Sequence, residues 1–215
     1  MTKRVSLWWL AAPAALFGLN FITAHPAQRN AVYNGTFVAS TAVSELIVVG
    51  YVFAAIRIAG APARDTLALH RPGPPLRRVA VMTVIAAALV AAVELVFDPL
   101  VHADTKQGIT PNHTPLSAHQ WLALAAAVLV LCLIVPFAEE LLFRGLTFAA
   151  LGRYAVPGSA ALFALAHGLV ALLVPTFIAG LLLAELRRRT ESLFPGMVAH
   201  AALNATALVL ALLAA

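Results

Sequence analysis

Two adjacent glutamates and an arginine, embedded in apolar sequence, are the first residues of this chain that could do chemistry. Glu139, Glu140 and Arg144 stand near the end of a stretch that is almost purely apolar from Trp121 onward. Charged side chains at membrane depth are costly and rare, and those that occur usually serve a function with a specific partner. The sequence therefore predicts that this Glu-Glu-x-x-x-Arg motif belongs to a functional site.

The spacing within the motif separates the two carboxylates. Glu140 and Arg144 are four residues apart, so they share one helix face and can form an ion pair. Glu139 is rotated from Glu140 by about 100° and faces different neighbours. If Arg144 holds one carboxylate, the other remains available as a general base. The alternative is that all three residues are interfacial, with Arg144 extending its charge to the membrane surface.

Two further pairs of residues, each one helical turn apart, lie in later apolar segments. Phe163 precedes His167 by four residues, so its ring can pack against the imidazole. His200 and Asn204 also share a face, and their N–H groups, aimed at one point, can stabilise a developing oxyanion. As an alternative, His167 alone and the pair His200 and Asn204 could simply join helices by hydrogen bonds. Taken together, a carboxylate, a histidine and two donors suit the hydrolysis of a peptide bond by water inside the bilayer.

The composition places these motifs in a membrane protein. The chain has 215 residues, of which 62% are hydrophobic and 11% charged, with a mean hydropathy of +0.92. Soluble domains are about half apolar and about a quarter charged. Because a helix needs about 20 apolar residues to cross a bilayer, we predict one membrane-embedded domain, residues 1–215, that forms an all-α bundle of about seven spans. The predicted spans are residues 6–24, 34–56, 79–97, 120–142, 156–172, 174–187 and 194–215.

Two details of this topology follow from single residues. The fifth and sixth spans share one apolar stretch, in which Pro175 predicts a tight hairpin, a tilted pair or one bent element. Two further acids are Glu45 in the second span and Glu94 near the end of the third. Either could hydrogen-bond within the bundle, line a substrate path or indicate that a span is misplaced. Neither of these acids is predicted to be catalytic.

The basic residues predict the orientation of the chain. With the N-terminus in the cytoplasm, twelve of the fourteen lysines and arginines fall on the cytoplasmic side, and Arg144 is among them. Only Arg29 and Lys106 fall outside, which is the bias expected of membrane proteins. The basic residues are not interleaved with aromatic ones, and no nucleic-acid motif is present, so the sequence predicts no nucleic-acid partner.

The three motifs together resemble those of a known family. In order and spacing they look like the motifs of the CPBP family, which includes the CAAX prenyl endopeptidases of the Rce1 type and many bacterial relatives. The likeness covers about residues 120–215, the motif-bearing core, and Gly145 after the arginine fits it as well. It implies an all-helical intramembrane protease, here in a bacterial inner membrane. The motif residues are Glu139, Glu140, Arg144, Phe163, His167, His200 and Asn204.

The resemblance also implies a role for each of these residues. Glu139 with His167 would activate the water, and His200 with Asn204 would stabilise the tetrahedral oxyanion. Glu140, held by the arginine, would shape the site. The substrate would be a membrane-tethered protein or peptide.

The prediction of the cofactor and the prediction of the activity each have an alternative. We expect no cofactor and a glutamate mechanism without metal, because the chain lacks a His-Glu-x-x-His helix and Asn204 is a poor zinc ligand. A zinc ion held by Glu139, His167 and His200 is the less favoured alternative. In place of a protease, the same fold could serve as a non-enzymatic membrane scaffold or an immunity-type protein.

Overall fold

A computed structural model describes residues 7–16, 31–101, 115–168 and 172–213. Within these ranges the chain is helical and contains no β-strand, as predicted for an all-α bundle of the membrane type. Only residues 7–16 of the first predicted span are described. They form a 3₁₀ turn, Leu7–Leu10, which continues as a helix through residue 16.

The principal described helices are numbered here in chain order. They are α1 (Gly35–Ala59), the short α2 (Ala63–Thr66), α3 (Leu76–Val101), α4 (residues 118–151), α5 (Ala155–Ala166), α6 (Leu173–Thr190) and α7 (Phe194–Leu213). Side-chain caps fix the starts of two of them, since a cap satisfies backbone N–H groups that have no partner within the helix. Asn34 accepts from two N–H groups at the start of α1, and Ser117 forms a capping box with Gln120 at the start of α4.

Within the described residues, three helical runs are long and apolar enough to cross a membrane. They are Gly35–Ala59, Leu76–Phe97 and Ala118–Ala166, and a shorter apolar helix covers Phe194–Leu210. Large apolar side chains on α1 and α3 are exposed, which is stable against hydrocarbon but not against water. The chain is therefore an integral membrane protein, and its seven spans stay a prediction.

The helix that carries the Glu-Glu-x-x-x-Arg motif is longer than predicted. The predicted span ended at residue 142, but α4 continues to residue 151, where Gly152 takes a positive φ of 54°. A residue without Cβ adopts this conformation at little cost, and so the helix ends there. As a result the motif lies within a helix, and Arg144 is fully buried. The interfacial alternative, with Arg144 reaching the membrane surface, is wrong.

Helices α5 and α6 are separate helices that pack along each other, so the single bent element among the three predicted arrangements is wrong. Pro175 does not break this segment, because it lies in the first turn of α6, where a missing N–H costs little. The two helices approach closely at Gly180. A Cβ added at Gly180 would lie 3.0 Å from the Cα of Ala160, so only glycine fits there without displacement.

Helix α4 contains two π-helical segments, Val130–Ile134 and Glu140–Thr147. In the first, the N–H of Val135 donates to the carbonyl of Val130, five residues earlier. Pro136 follows directly, and a proline ring crowds the carbonyl four residues before it. A locally widened helix relieves this crowding, and such segments occur frequently at functional sites.

The second π-helical segment lies in the main core, and all eight of its residues are buried. Leu67, from the connection between α1 and α3, packs directly against Gly145, where a Cβ would lie 2.6 Å from the leucine Cδ2. Buried side chains of the N-terminal turn, α1, α4, α5 and the start of α7 complete this cluster. Its larger members include Trp9, Val52, Ile56, Leu67, Leu141, Phe143, Phe163 and Leu193.

Candidate active site

The centre of the site is a fully buried ion pair. Nη1 of Arg144 lies 2.9 Å from Oε1 of Glu140, and neither side chain is exposed. The guanidinium also donates from Nη2 to the carbonyl of Gly180 at 3.4 Å and stacks 4.1 Å from the ring centroid of Phe163. Since removal of either charge would leave the other uncompensated in the core, the pair is a fixed part of the structure.

His200 of α7 lies between the two carboxylates. Its Nδ1 is 3.1 Å from Oε1 of Glu140, and its Nε2 is 3.5 Å from Oε2 of Glu139. Because an ionised carboxylate can only accept, Nδ1 is the donor in the contact with Glu140. The imidazole thus links the buried ion pair to the neighbouring carboxylate.

Glu139 differs from Glu140 as the spacing predicted. Its side chain is 20% exposed, whereas that of Glu140 is completely buried and paired with Arg144. Glu45, half-buried on α1, lies close enough to Glu139 for the two charges to repel each other. The sequence had flagged Glu45 as an acid within a span, but only the packing of α1 against α4 brings it near the motif.

Phe163 joins the two histidines. Its ring centroid lies 4.8 Å from that of His167 and 5.7 Å from that of His200, with edge-to-face geometry in both contacts. His167 also places Nδ1 2.8 Å from the carbonyl of Phe163. A carbonyl accepts, so Nδ1 carries the proton and Nε2 remains available for chemistry. The predicted packing of Phe163 against His167 is thus present.

Asn204 has a different environment from the other motif residues. Its Nδ2 donates to the carbonyl of Leu131 at 2.8 Å, on the turn of α4 that precedes Pro136. Leu131 is eight residues before Glu139, about 12 Å along a helix. Among the described residues, no hydrogen bond or ion pair joins Asn204 or His167 to either glutamate.

Two glycines that the sequence analysis did not single out complete the site. Gly180 supplies the carbonyl that accepts from Arg144. Gly196, in the first turn of α7, faces Glu140 so closely that a Cβ there would lie 2.8 Å from Oε2. Gly196 lies one turn before His200 on the same face of α7. This spacing was the sequence signal that a residue without a side chain leaves room beside the histidine.

The described side chains do not form a ready metal site. No group of three or more histidine, cysteine, aspartate or glutamate residues within the described ranges is arranged to hold a metal ion. Of the residues considered for zinc, His200 directs Nδ1 at Glu140 and Nε2 toward Glu139.

The fold and the site define a class: an all-helical integral membrane protein with a carboxylate–imidazole centre inside its bundle. A comparison with known protein families matches part of the chain. Residues 120–206 match the family described as type II CAAX prenyl endopeptidase Rce1-like. Residues 120–206 thus form an Rce1-like domain of the CPBP family, and the predicted resemblance is confirmed.

The matched segment contains every motif residue from Glu139 to Asn204. No curated protein and no solved structure matches the chain significantly. The family implies a protease of the membrane that acts on membrane-associated proteins.

Proposed function

We propose that this protein is an intramembrane endopeptidase in which Glu139 activates the water that cleaves the peptide bond. The contrast between the two adjacent carboxylates carries this proposal. Glu140 is committed to a buried ion pair, while Glu139 retains some exposure and forms no ion pair with an arginine among the described residues; Nε2 of His200 lies 3.5 Å from its Oε2. A carboxylate held in place but not neutralised by an arginine is suited to remove a proton.

The reaction needs few participants. Glu139 takes a proton from water, and the water oxygen bonds to the carbonyl carbon of the substrate. The resemblance implies His200 and Asn204 as the N–H donors that stabilise the charge on the carbonyl oxygen. Since Nδ1 of His200 already donates to Glu140, its Nε2 donates only when the imidazole is protonated. The proton then passes to the departing amine, with Nε2 of His167 as the carrier that the family likeness suggests.

The ion pair has a supporting role in this mechanism. Glu140 and Arg144 would not touch the substrate, because both are completely buried. Instead, Oε1 of Glu140 accepts from Nδ1 of His200 and so fixes the rotation of the imidazole. The opposite ring nitrogen is then held toward Glu139.

The substrate class follows from the family description. We propose that the substrate is a membrane-tethered protein or peptide. Because the matching family is described as CAAX prenyl endopeptidases, a farnesylated CAAX peptide is the first probe. The protein in lipid nanodiscs would be given this peptide with a fluorophore and a quencher on either side of the expected bond. The same peptide without the farnesyl group tests whether the lipid is required.

Three variants test the mechanism. We expect Glu139→Gln, His167→Ala and His200→Ala each to lower kcat by about 100-fold or more, as for the loss of a general base or its partner. Glu185→Gln, which removes a carboxylate from the exposed end of α6, is the matched control and should retain full activity. Full activity in all three site variants would show that the mechanism is wrong.

Metal dependence is tested separately. We expect cleavage to continue after dialysis against a strong chelator, because Glu139 activates the water directly. Loss of activity that added zinc restores would instead support the zinc alternative.

The same nanodisc assay distinguishes the protease from the scaffold alternative. A scaffold would bind the membrane-tethered peptide without cleaving it, and Glu139→Gln would leave that binding unchanged. Cleavage by the parent protein but not by Glu139→Gln contradicts the scaffold.

We further propose that the chain works as one unit in a bacterial inner membrane, with the N-terminus in the cytoplasm. The basic connection between α1 and α3 docks on the basic end of α6: Gly73 N donates to the carbonyl of Thr190, and Ser192 Oγ donates to that of His70. This gathers both basic groups at one end of the bundle, which supports a cytoplasmic location. In a Cys132→Ala background, Arg188→Cys should react with an impermeant maleimide only after the cells are opened; labelling of intact cells would reverse the orientation.

A further inference from the structure

Glu45, on α1, is an acid that the proposed mechanism does not use. It lies within a helical run that is long and apolar enough to cross a membrane, and its side chain is half-buried. Among the described residues, none forms a hydrogen bond or an ion pair with this carboxylate. An ionisable group at membrane depth is costly without a partner, so a partner from outside the chain is the first one to look for.

The packing of α1 along α4 places Glu45 at the level of Glu139. Val38 on α1 and Val130 on α4 belong to one apolar cluster. Further along both helices, Val48 shares a second cluster with the residue that precedes Glu139. The two helices therefore run in the same direction, and Glu45 falls between the clusters, within about one turn of Glu139 along the seam. At this separation the charges of the two carboxylates repel each other.

This part of the site has an excess of negative charge. The charge of Glu140 is balanced by Arg144 in the buried pair. Glu45 and Glu139 are both partly exposed, and neither is paired with a lysine or an arginine in the part of the chain that the structure describes. A cleft lined by one sign of charge attracts groups of the opposite sign, so this cleft favours a cation.

A basic side chain of the substrate fits this requirement. A peptide bond held at Glu139 has its neighbouring side chains within reach of Glu45, because successive residues of an extended chain are about 3.3 Å apart. Ala42, one turn before Glu45, lines a groove of about 500 Å³ between α1 and α4, which leaves room beside the acid. The apolar stem of a lysine or an arginine can lie along this seam while its charge meets the carboxylate.

We propose that Glu45 is a specificity-determining residue, which binds a basic side chain of the substrate next to the bond that Glu139 cleaves. An acidic side chain at the same position would face two like charges, and an apolar one would leave Glu45 without a partner. The inference rests on the proposed protease function and adds the chemical class of side chain that the site selects.

The farnesylated CAAX peptide tests the preference. Lysine, norleucine or glutamate is placed in turn at the two positions before and the two positions after the farnesylated cysteine; norleucine has the lysine stem without its charge. At one position we expect kcat/KM for lysine to exceed that for norleucine about tenfold, a factor between those of exposed and buried ion pairs, and glutamate to be the poorest. A chelator is present throughout, so that no metal ion supplies the positive charge. Equal values at every position would overturn the proposal.

Variants of Glu45 show whether this residue selects the charge. Glu45→Gln keeps the shape of the side chain and should reduce the preference for lysine to less than about twofold, whereas Glu45→Asp should keep a preference of at least about threefold. Ser44→Ala, on the exposed face of α1, is the matched control and should change neither the rate nor the preference. A preference that survives Glu45→Gln, or that is lost equally in Glu45→Asp, contradicts the assignment.

Binding separates this proposal from the proposed function. In nanodiscs of the Glu139→Gln variant, fluorescence anisotropy should give a Kd about tenfold lower for the lysine peptide than for the norleucine peptide, and adding Glu45→Gln should remove the difference. If this difference is found but the parent protein cleaves no peptide, the proposed function fails and the role of Glu45 in recognition stands. If the parent protein cleaves all the peptides equally and binding shows no difference, the protease stands and the role of Glu45 is wrong.

Discussion

Two ion pairs in this protein share one sequence spacing and differ in everything else. Glu140–Arg144 and Glu185–Arg189 are both four residues apart within a helix, at 2.9 and 2.6 Å. The first pair is completely buried, while the side chains of the second are 32% and 59% exposed. The spacing allows both pairs to form, but burial determines how much stability is lost when one partner is removed. An exposed ion pair contributes little to the free energy of unfolding, whereas an uncompensated buried charge is strongly destabilising.

The largest effect is expected from breaking the buried pair on one side. Arg144→Leu leaves the Glu140 carboxylate uncompensated in the core and should lower the free energy of unfolding by about 3–5 kcal/mol. Unfolding in mixed detergent micelles by increasing dodecyl sulfate measures this loss. The combined Glu140→Leu/Arg144→Leu variant should recover a large part of it, because no lone charge remains.

Arg189→Leu is the matched control, with the same spacing and residue types at the surface. Its unfolding midpoint should stay close to that of the parent protein. Equal losses for Arg144→Leu and Arg189→Leu would mean that spacing, not burial, determines the cost.

The second prediction concerns Gly180, whose carbonyl accepts a hydrogen bond from Arg144. Gly180→Ala places a Cβ 3.0 Å from the Cα of Ala160, so α6 must move away from α5. Overpacking of this kind costs about 1–3 kcal/mol, and we expect the upper part of that range because backbone must move. The shift should also lengthen the contact from Arg144 to the Gly180 carbonyl and lower the cleavage rate.

Gly50→Ala is the control for the loss of a helical glycine. No atom lies within 4 Å of a Cβ at Gly50 on α1, so that variant should be neutral or slightly stabilising. A Gly180→Ala variant as stable as Gly50→Ala would show that α5 and α6 can accommodate the added methyl group without moving apart.

Local spacing predicted part of the site correctly. The shared face of Glu140 and Arg144, the separate face of Glu139 and the contact of Phe163 with His167 all depend on helix geometry alone. Residues one turn apart meet in any α-helix, so no knowledge of the fold was needed. The all-α membrane class followed as directly from composition.

The sequence did not reveal the environment of these residues. The sequence left open whether Arg144 is buried or extends to the membrane surface, and only the structure, in which α4 continues to residue 151 and the side chain is buried, decides between the two. The partner of Asn204 was also beyond prediction. Leu131 is 73 residues away, and only the packing of α7 against α4 brings the two together.

The third prediction tests the other end of the buried pair. Gly196→Ala brings a Cβ to 2.8 Å from Oε2 of Glu140. A free carboxylate would swing aside, but this one is held by Arg144 and His200, so the cost should be about 1–2 kcal/mol. Because the contact with His200 is disturbed, the cleavage rate should fall by about tenfold or more. Unchanged rates would show that the carboxylate can relax without moving the imidazole.

The smallest effect is expected at the surface pair. Glu185→Gln removes the negative charge that pairs with Arg188 and Arg189 at 2.6 Å, yet it should lower the free energy of unfolding by less than about 1 kcal/mol. The difference should shrink further when the salt concentration is raised from about 0.05 to about 0.5 M, since exposed charges are screened. The Arg144→Leu effect should not respond to salt in this way, because both partners are shielded from solvent. Suppose instead that Glu185→Gln lowers the free energy of unfolding as much as Arg144→Leu does, and independently of salt. The exposed pair would then be as important for stability as the buried one, and burial would not explain the difference between them.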